Sequence, residues 1–401
     1  MIIGHYTPHL TAHGGAERYL ERIAIAQREM GHTVYYFSKY DDIASLHEIP
    51  VLSVTTDAEI YTKALQLNID LLHLHGEVSL LPPSNLVAIR TVQGHQPYCP
   101  SGSKFLARST CPCDRTFSVT GCLWGHFVDR CGSIRPHRLI QGFESTRNEQ
   151  KVLSKVPTLA NSSFVRERMI ASGYSEQLVQ TLYLAVPDVV DTTPPPQDDL
   201  PRFLFLGRLT AAKGVTWLLK AVKHVKTPIH LDIAGDGQQG EQLQLLVQHL
   251  EIQDRVTFHG WVNTETVYQL IQSSRALIFP SLWHEPAGMV AYEALINARA
   301  AIASRVGGIP EGIIDGANGL LVEPNDVSGL AHQIDRLATD WMLAKQYGEA
   351  GRRFAVEAFG IEHHMKRLMQ IYQQQLANRT VLPVSYTQLR AHERARHLVC
   401  R

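Results

Sequence analysis

The stretch from Phe279 to Pro324 constrains this chain most. It reads Phe-Pro-Ser-Leu-Trp-His-Glu285-Pro286-Ala287-Gly288-Met289-Val290-Ala-Tyr-Glu293, then the apolar Ala300–Ser304, then Gly307-Gly308-Ile-Pro310-Glu311. The apolar run Ala276–Phe279 predicts a buried strand that stops at Pro280, and residues 287–298 carry helical periodicity with Pro286 in the first turn. Gly288 lets a ligand approach the backbone, and the free amides of such a helix seat a phosphate. Glu285 precedes the helix and Glu293 lies two turns along it, roughly 12 Å away. Carboxylates on either side of a phosphate seat suit a diphosphate with a hydroxyl-rich ring at each end, as in a nucleotide-sugar. Taken alone, the same pair reads as a helix cap and a solvated charge.

The order strand, Pro, Glu-Pro-x-Gly, second Glu, strand, Gly-Gly-x-Pro-Glu is far more specific than the pair. It resembles the retaining GT-B glycosyltransferases of family 4, whose E-x7-E motif matches Glu285 and Glu293, and the resemblance runs from residue 1 to about residue 378. It implies two Rossmann-like domains facing across a cleft, with a C-terminal helix crossing back. The expected division is 1–186 for an N-terminal acceptor domain, with a Cys-rich insertion at 95–145, and 187–201 for a linker rich in Pro. A donor domain at 202–360 and a cross-over helix at 361–378 follow.

Composition excludes several classes. Lys+Arg and Asp+Glu both total 38, so no global field points to nucleic acid. No window approaches a membrane span, and Met1 leads into a strand instead of a charged leader, which points to a cytoplasmic protein. From Val384 the pattern breaks, and 384–401, Cys400 included, resembles translated vector sequence, so it is excluded from the fold.

Along the chain, Met1–Tyr6 predicts a first strand, and Gly14-Gly15 opens a helix to about Met30. This is not the G-x-G-x-x-G fingerprint, so a dinucleotide reading loses its support. The resemblance implies that the Gly14-Gly15 loop meets the donor's diphosphate and sugar. Asp70–His75 and Leu86–Thr91 predict further strands. Where the family carries Thr-Val-His-Asp before Cys-Pro, this chain has Thr91-Val92-Gln93-Gly94-His95 before Cys99-Pro100, so His95 falls two residues late. It is either a sugar- or acceptor-contacting group or a local structural one. Thr158–Phe164 predicts a strand end and Leu182–Val186 the last strand of the first domain.

Five cysteines cluster at Cys99, Cys111, Cys113, Cys122 and Cys131, with His126 among them. Such clustering fits a structural zinc or a labile disulfide, although the gaps do not follow the paired Cys-x2-Cys spacing; the bland reading is buried apolar thiols. The insertion and its sequel are basic (Arg108, Arg130, Arg138, Arg147, Lys151) with Phe127, Leu139 and Phe143 interleaved. That face is a solvated surface or a peripheral contact with anionic lipid at the inner membrane surface.

Arg202–Leu206 predicts the first strand of the second domain. Arg208 and Lys213, at the turn after it, are placed to clamp a diphosphate. The resemblance implies that these two neutralise the leaving diphosphate and that Trp261-Val262 lies by the nucleobase. It further implies that Glu285 grips sugar hydroxyls and Glu293 the ribose, and that Ala287, Gly288, Met289 and Val290 form the phosphate seat. The expected activity is metal-independent transfer of a hexose from a UDP-, GDP- or ADP-sugar, with retention, to a glycan, lipid-linked or small-molecule acceptor. The alternatives on one fold are a nucleotide-sugar 2-epimerase or hydrolase, or a non-catalytic sugar- or protein-binding module.

Overall fold

The computed structural model describes residues 1–10, 15–40, 45–186 and 192–381. Gly14, Pro187–Asp191 of the expected linker and the tail 384–401 lie outside the described residues. Two parallel sheets organise the chain, each flanked by helices. The first orders its strands as 179–181, 158–160, 87–92, 71–74, 2–7, 33–38, 49–53 and 45–46, with only the last pair antiparallel. The second is wholly parallel, ordered 256–260, 230–234, 202–206, 276–279, 300–304, 319–322. Of its two central strands, Ala276–Phe279 is wholly apolar and buried, and Arg202–Leu206 is so beyond Arg202, as a sheet covered on both faces requires.

Both sheets reverse direction of growth at their first strand. In the first, 2–7 lies between 33–38 and 71–74; in the second, 202–206 lies between 230–234 and 276–279. Each reversal opens a crevice at the carboxyl ends of the strands, where ligands of open α/β sheets bind. The loops after 202–206 and 276–279 carry Lys213 and Glu285; those after 2–7 and 71–74 carry Pro8-His9 and His75-Gly76.

The closing helix Ile361–Val381 returns to the first lobe. Met365, Leu368, Met369, Ile371 and Tyr372 pack in one cluster with Ile3, Leu20, Ile23 and Leu71. The Tyr372 hydroxyl and His73 Nδ1 are 2.6 Å apart, and Tyr19 OH and His364 Nε2 are 3.1 Å apart. This is the GT-B architecture.

Several expected bounds move. The helix after Glu285 spans Met289–Ile296 and not 287–298: Gly288 caps it in a left-handed conformation (φ 78°), which leaves Pro286 and Ala287 in the preceding loop. The last strand of the first lobe is Val179–Thr181, not Leu182–Val186. Val186 makes only a bridge to Gly360, where the chain leaves the sheet. Thr158–Ala160 is a strand, but Ser162 caps a helix from Ser163, so the residues up to Phe164 do not extend it. The Ile49–Ser53 strand and the Asp57–Gln66 helix carry too short an apolar pattern to stand out in sequence.

The returning helix supplies a test. Leu368 is fully buried in the first lobe, so Leu368→Ala should cost about 2–5 kcal/mol in denaturant unfolding. The exposed Gln374→Ala should stay within about 0.5 kcal/mol. Equal effects would mean the helix does not dock.

Candidate active site

Close backbone approach sets the position of Lys213. The residue that follows it, Gly214, has φ 71°, and a Cβ there would sit 1.8 Å from the Pro280 carbonyl oxygen. The Leu282 amide donates to the Ala212 carbonyl at 2.7 Å. Only glycine allows this contact, which joins the loop after 202–206 to the loop after 276–279. Lys213 Nζ consequently reaches Glu285 Oε1 at 2.6 Å, and Ser281 Oγ donates to the same oxygen at 2.5 Å. Both charged groups are largely buried. The ammonium also lies 5.3 Å from the centre of the Phe279 ring and 5.4 Å from that of Trp283. Glu285 Oε2 has no partner among the described residues and is left to accept another donor.

A second glycine contact holds the carboxylate's own loop. Gly307 (φ 58°) packs so that a Cβ would fall 2.3 Å from the Glu285 carbonyl oxygen, and the Gly308 amide donates to that oxygen at 2.8 Å. The Gly-Gly-x-Pro-Glu element thus backs Glu285. Its last residue, Glu311, crosses to the other lobe: its two carboxylate oxygens accept from the Ser163 and Phe164 amides, each at 2.7 Å. These are the first amides of the Ser163–Ala171 helix, so a carboxylate completes that terminus. Sequence reasoning placed Glu311 in a motif without this role; the Ser162-Ser163 cap and a carboxylate in the facing lobe were its only signal.

His95 bridges the lobes. It is fully buried; Nε2 donates to the His284 carbonyl and Nδ1 accepts from the Tyr98 hydroxyl, both at 2.6 Å. Both ring nitrogens are therefore engaged by protein. His284 in turn donates from Nε2 to Asp114 Oδ1 at 2.9 Å and accepts the Gly307 amide at Nδ1. Arg168 holds the same carboxylate at 3.0 Å. Burial pulls His95 down to about 3, against the His284 carbonyl bond, and His284 down to about 4, against Asp114. Both imidazoles are neutral at pH 7.

Glu293 faces the first lobe. Part of its surface reaches solvent, yet the protein packed around its carboxyl raises the pKa, opposed by attraction from Arg22 and then Arg18. Both arginines lie on the helix that Gly15 opens, which brings this helix towards Glu293 across the cleft. Ala287 is buried, while Met289 and Val290 are partly open at the first turn of their helix, whose leading amides lack intrahelical acceptors. Arg208 is exposed at the mouth of the crevice, and its side chain has no hydrogen bond or ion pair among the described residues. Trp261 is exposed and Val262 half-buried, just past the Val256–Gly260 strand.

A cavity of ≈ 790 Å³ opens at the crevice of the first lobe, lined among others by His9, Glu17, Lys39, His75, Gln93 and Gly94. Gln93, at the position of the family's histidine, lines it; His95 does not. At its wall Arg90 pairs with Glu149 at 2.6 Å, both buried. All five described cysteines are free thiols. Burial pushes Cys131 up to about 11 and raises Cys122.

Two parallel-sheet lobes that meet at their crevices define the GT-B class, and comparison with known proteins agrees. Residues 192–354 match the family described as Glycosyl transferases group 1. The chain is 32% identical over 178 residues to an uncharacterized glycosyltransferase of Methanocaldococcus jannaschii, covering 44% of this chain and 45% of that protein. It is 33% identical over 186 residues to the alpha-maltose-1-phosphate synthase of Mycolicibacterium smegmatis, covering 43% and 47%. The chain thus spans less than half the length of these curated relatives. Among solved structures, the sucrose-phosphate synthase of Thermosynechococcus elongatus superposes with a TM-score of 0.71 at 19% identity, over 94% of this chain and 99% of that one. Anabaena HepE in complex with UDP and glucose gives 0.69 at 18%, over 93% and 100%. At that identity the likeness shows the fold.

The buried histidines make stability pH-dependent. A histidine whose folded pKa lies below its unfolded value of 6.5 takes up its proton only on unfolding. Its contribution is complete above pH 6.5 and is lost as pH falls towards about 3 for His95. Between pH 7 and 5 the loss is about 2 kcal/mol per such residue. His95→Gln should therefore show a shallower fall of unfolding free energy over that range. A fall as steep as in the parent would remove His95 from the lobe contact.

Proposed function

We propose that this chain is a retaining, metal-independent glycosyltransferase that moves a hexose from a nucleotide-diphosphate sugar to an acceptor held by the first lobe. The observation that carries this reading is the Lys213–Glu285 pair at the reversal point of the second sheet, beside the capped start of the Met289–Ile296 helix. The names of the relatives favour it too, several being glycosyltransferases or sugar-phosphate synthases. HepE bound to UDP and glucose favours a nucleotide-sugar donor.

Breaking the C1–O bond loads negative charge onto the departing diphosphate, and stabilising that charge is the largest help a protein can give. Lys213 and Arg208 supply two cations, and the amides from Gly288 to Val290 supply donors at a positive helix end. As the diphosphate takes Lys213, Glu285 is released to accept from sugar hydroxyls, with Oε2 already open. Glu293 would accept from the ribose, Trp261-Val262 would border the base, and the Gly14-Gly15 loop would meet the diphosphate and sugar. The sequence offers no obvious second carboxylate as a covalent nucleophile, so attack would be on the face of departure, with the donor phosphate taking the acceptor proton.

The acceptor belongs in the ≈ 790 Å³ cavity of the 1–186 lobe, whose Lys39, Glu17, His75 and Gln93 are suited to a hydroxyl-rich glycan or small molecule. The 202–360 lobe would be the donor domain. A lipid-linked acceptor would add a peripheral membrane contact through the basic insertion; no helix among the described residues is long and apolar enough to cross a membrane.

Lys213→Ala should lower kcat by roughly 10²–10³-fold while leaving the circular dichroism spectrum unchanged. Unaltered turnover would remove the cationic clamp. In thermal-shift measurements with UDP-, GDP- and ADP-sugars, one base should raise Tm, since a ligand of the folded state alone stabilises it. No shift with any of the three would contradict the donor assignment.

A further inference from the structure

The cysteine-rich insertion folds around an enclosed space rather than around apolar side chains. Its buried apolar groups are few, and two of them, Tyr98 and Phe105, belong to clusters of the main lobes. A unit this small needs a staple. Four thiols meet at the space: Cys99 from the loop after the 87–92 strand, Cys113 from the end of the short hairpin, Cys122 from the Val119–Phe127 helix and Cys131 from the turn beyond it. With His126 they line a small half-closed cavity of ≈ 20 Å³. Glycines keep it open: a Cβ on Gly125 would lie 3.1 Å from Cys131 Sγ, and one on Gly132 would lie 2.5 Å from the His126 ring.

His126 is an independent sign that something sits there. Its side chain is buried, Nδ1 donates to the Ser133 carbonyl at 3.0 Å, and Nε2 has no partner among the described residues. An imidazole tied at Nδ1 with a bare Nε2 is the form that metal ligands take. Cys122 and His126, four residues apart, project from one face of their helix. The fifth cysteine, Cys111, does not line the cavity; its Sγ lies 3.0 Å from Ser109 Oγ.

Spacing decides what kind of centre fits. A single tetrahedral zinc, with Zn–S near 2.3 Å, draws its sulfurs to about 3.8 Å from one another. Among the described residues, the one group of three or more such ligand atoms mutually within 4.8 Å is His5, His73 and His75, so no three of these sulfurs stand that close. Thiolates held apart around a central void suit a polynuclear centre, in which several irons and bridging sulfides lie between them.

We propose that Cys99, Cys113, Cys122 and Cys131 hold an iron–sulfur cluster, with the His126 ring packed against it. The cluster is structural. Cys99 adjoins Tyr98, which positions His95, and Cys113 adjoins Asp114, which holds His284 beside Glu285. It thereby fixes the insertion against the carboxylate loop of the second lobe; that consequence rests on the proposed glycosyl transfer, whereas the cluster itself does not.

The test is anaerobic purification of the full chain from iron-replete cells, with iron, zinc and acid-labile sulfide measured per chain and the visible spectrum recorded. Iron and sulfide in equal amounts with broad visible absorption are expected, retained by Cys111→Ser, lost in Cys113→Ser and Cys122→Ser, and reduced in His126→Ala. If the serine variants do not fold, the parent chain is stripped by chelation and reconstituted with iron and sulfide, and it should regain the spectrum. One zinc per chain without sulfide, failure to reconstitute, or iron unchanged in folded Cys113→Ser or Cys122→Ser would overturn the proposal. These readouts are independent of turnover, so an inactive protein that carries the cluster would count against the transferase reading alone.

Discussion

The contact between Lys213 and Glu285 is the constraint on which the rest of the site depends. Two opposite charges taken out of water are costly unless paired, and here they satisfy each other with Ser281 as a third partner. In the proposed reaction, a diphosphate arriving at the same place would exchange one anion for another on the ammonium. The pair is therefore a stored interaction, not an idle one: it keeps both groups oriented and costs little to redirect. Glycine contacts on both sides maintain it, Gly214 against Pro280 and Gly307 against Glu285, and any side chain there would push the two loops apart.

The lobes meet through polar bridges, several of which converge on the segment 284–311, while Asn325 Nδ2 donates to the Thr110 carbonyl at 2.9 Å beyond it. His95 and Asp114 hold His284 from one side, while Glu311 reaches out to the head of the Ser163–Ala171 helix. The loop bearing the candidate catalytic carboxylate is thus a load shared by both halves of the molecule. For the proposed transfer, such a site would respond to how the lobes close, since the cleft would have to exclude water.

Much of this was legible in sequence because local rules and global fold agree. Alternating apolar strands and amphipathic helices, with Pro and Gly at the turns, pointed to both sheets and the crevice loops, and the family resemblance implied the returning helix. Lys213 and Glu285 could be named because their neighbours are glycines and prolines with few conformational options. What sequence missed is what depends on the approach of distant segments. The Glu311 cap needs a helix start 148 residues away. The two bonds of His95 need Tyr98 and a carbonyl from the other lobe, so its histidine chemistry is spent on protein contacts. The start of the helix at Met289 rather than Ala287 follows from the left-handed Gly288, a detail that periodicity cannot resolve. The cysteines were visible as a cluster, but which four share one space is a matter of tertiary placement.

The most direct measurement is a crystal structure of the chain with a bound nucleoside diphosphate. The account predicts phosphate oxygens within hydrogen-bond reach of Lys213 Nζ, of Arg208 and of the first amides of the Met289–Ile296 helix, with the lysine withdrawn from Glu285. A diphosphate seated elsewhere, with Lys213 still held by Glu285, would contradict it.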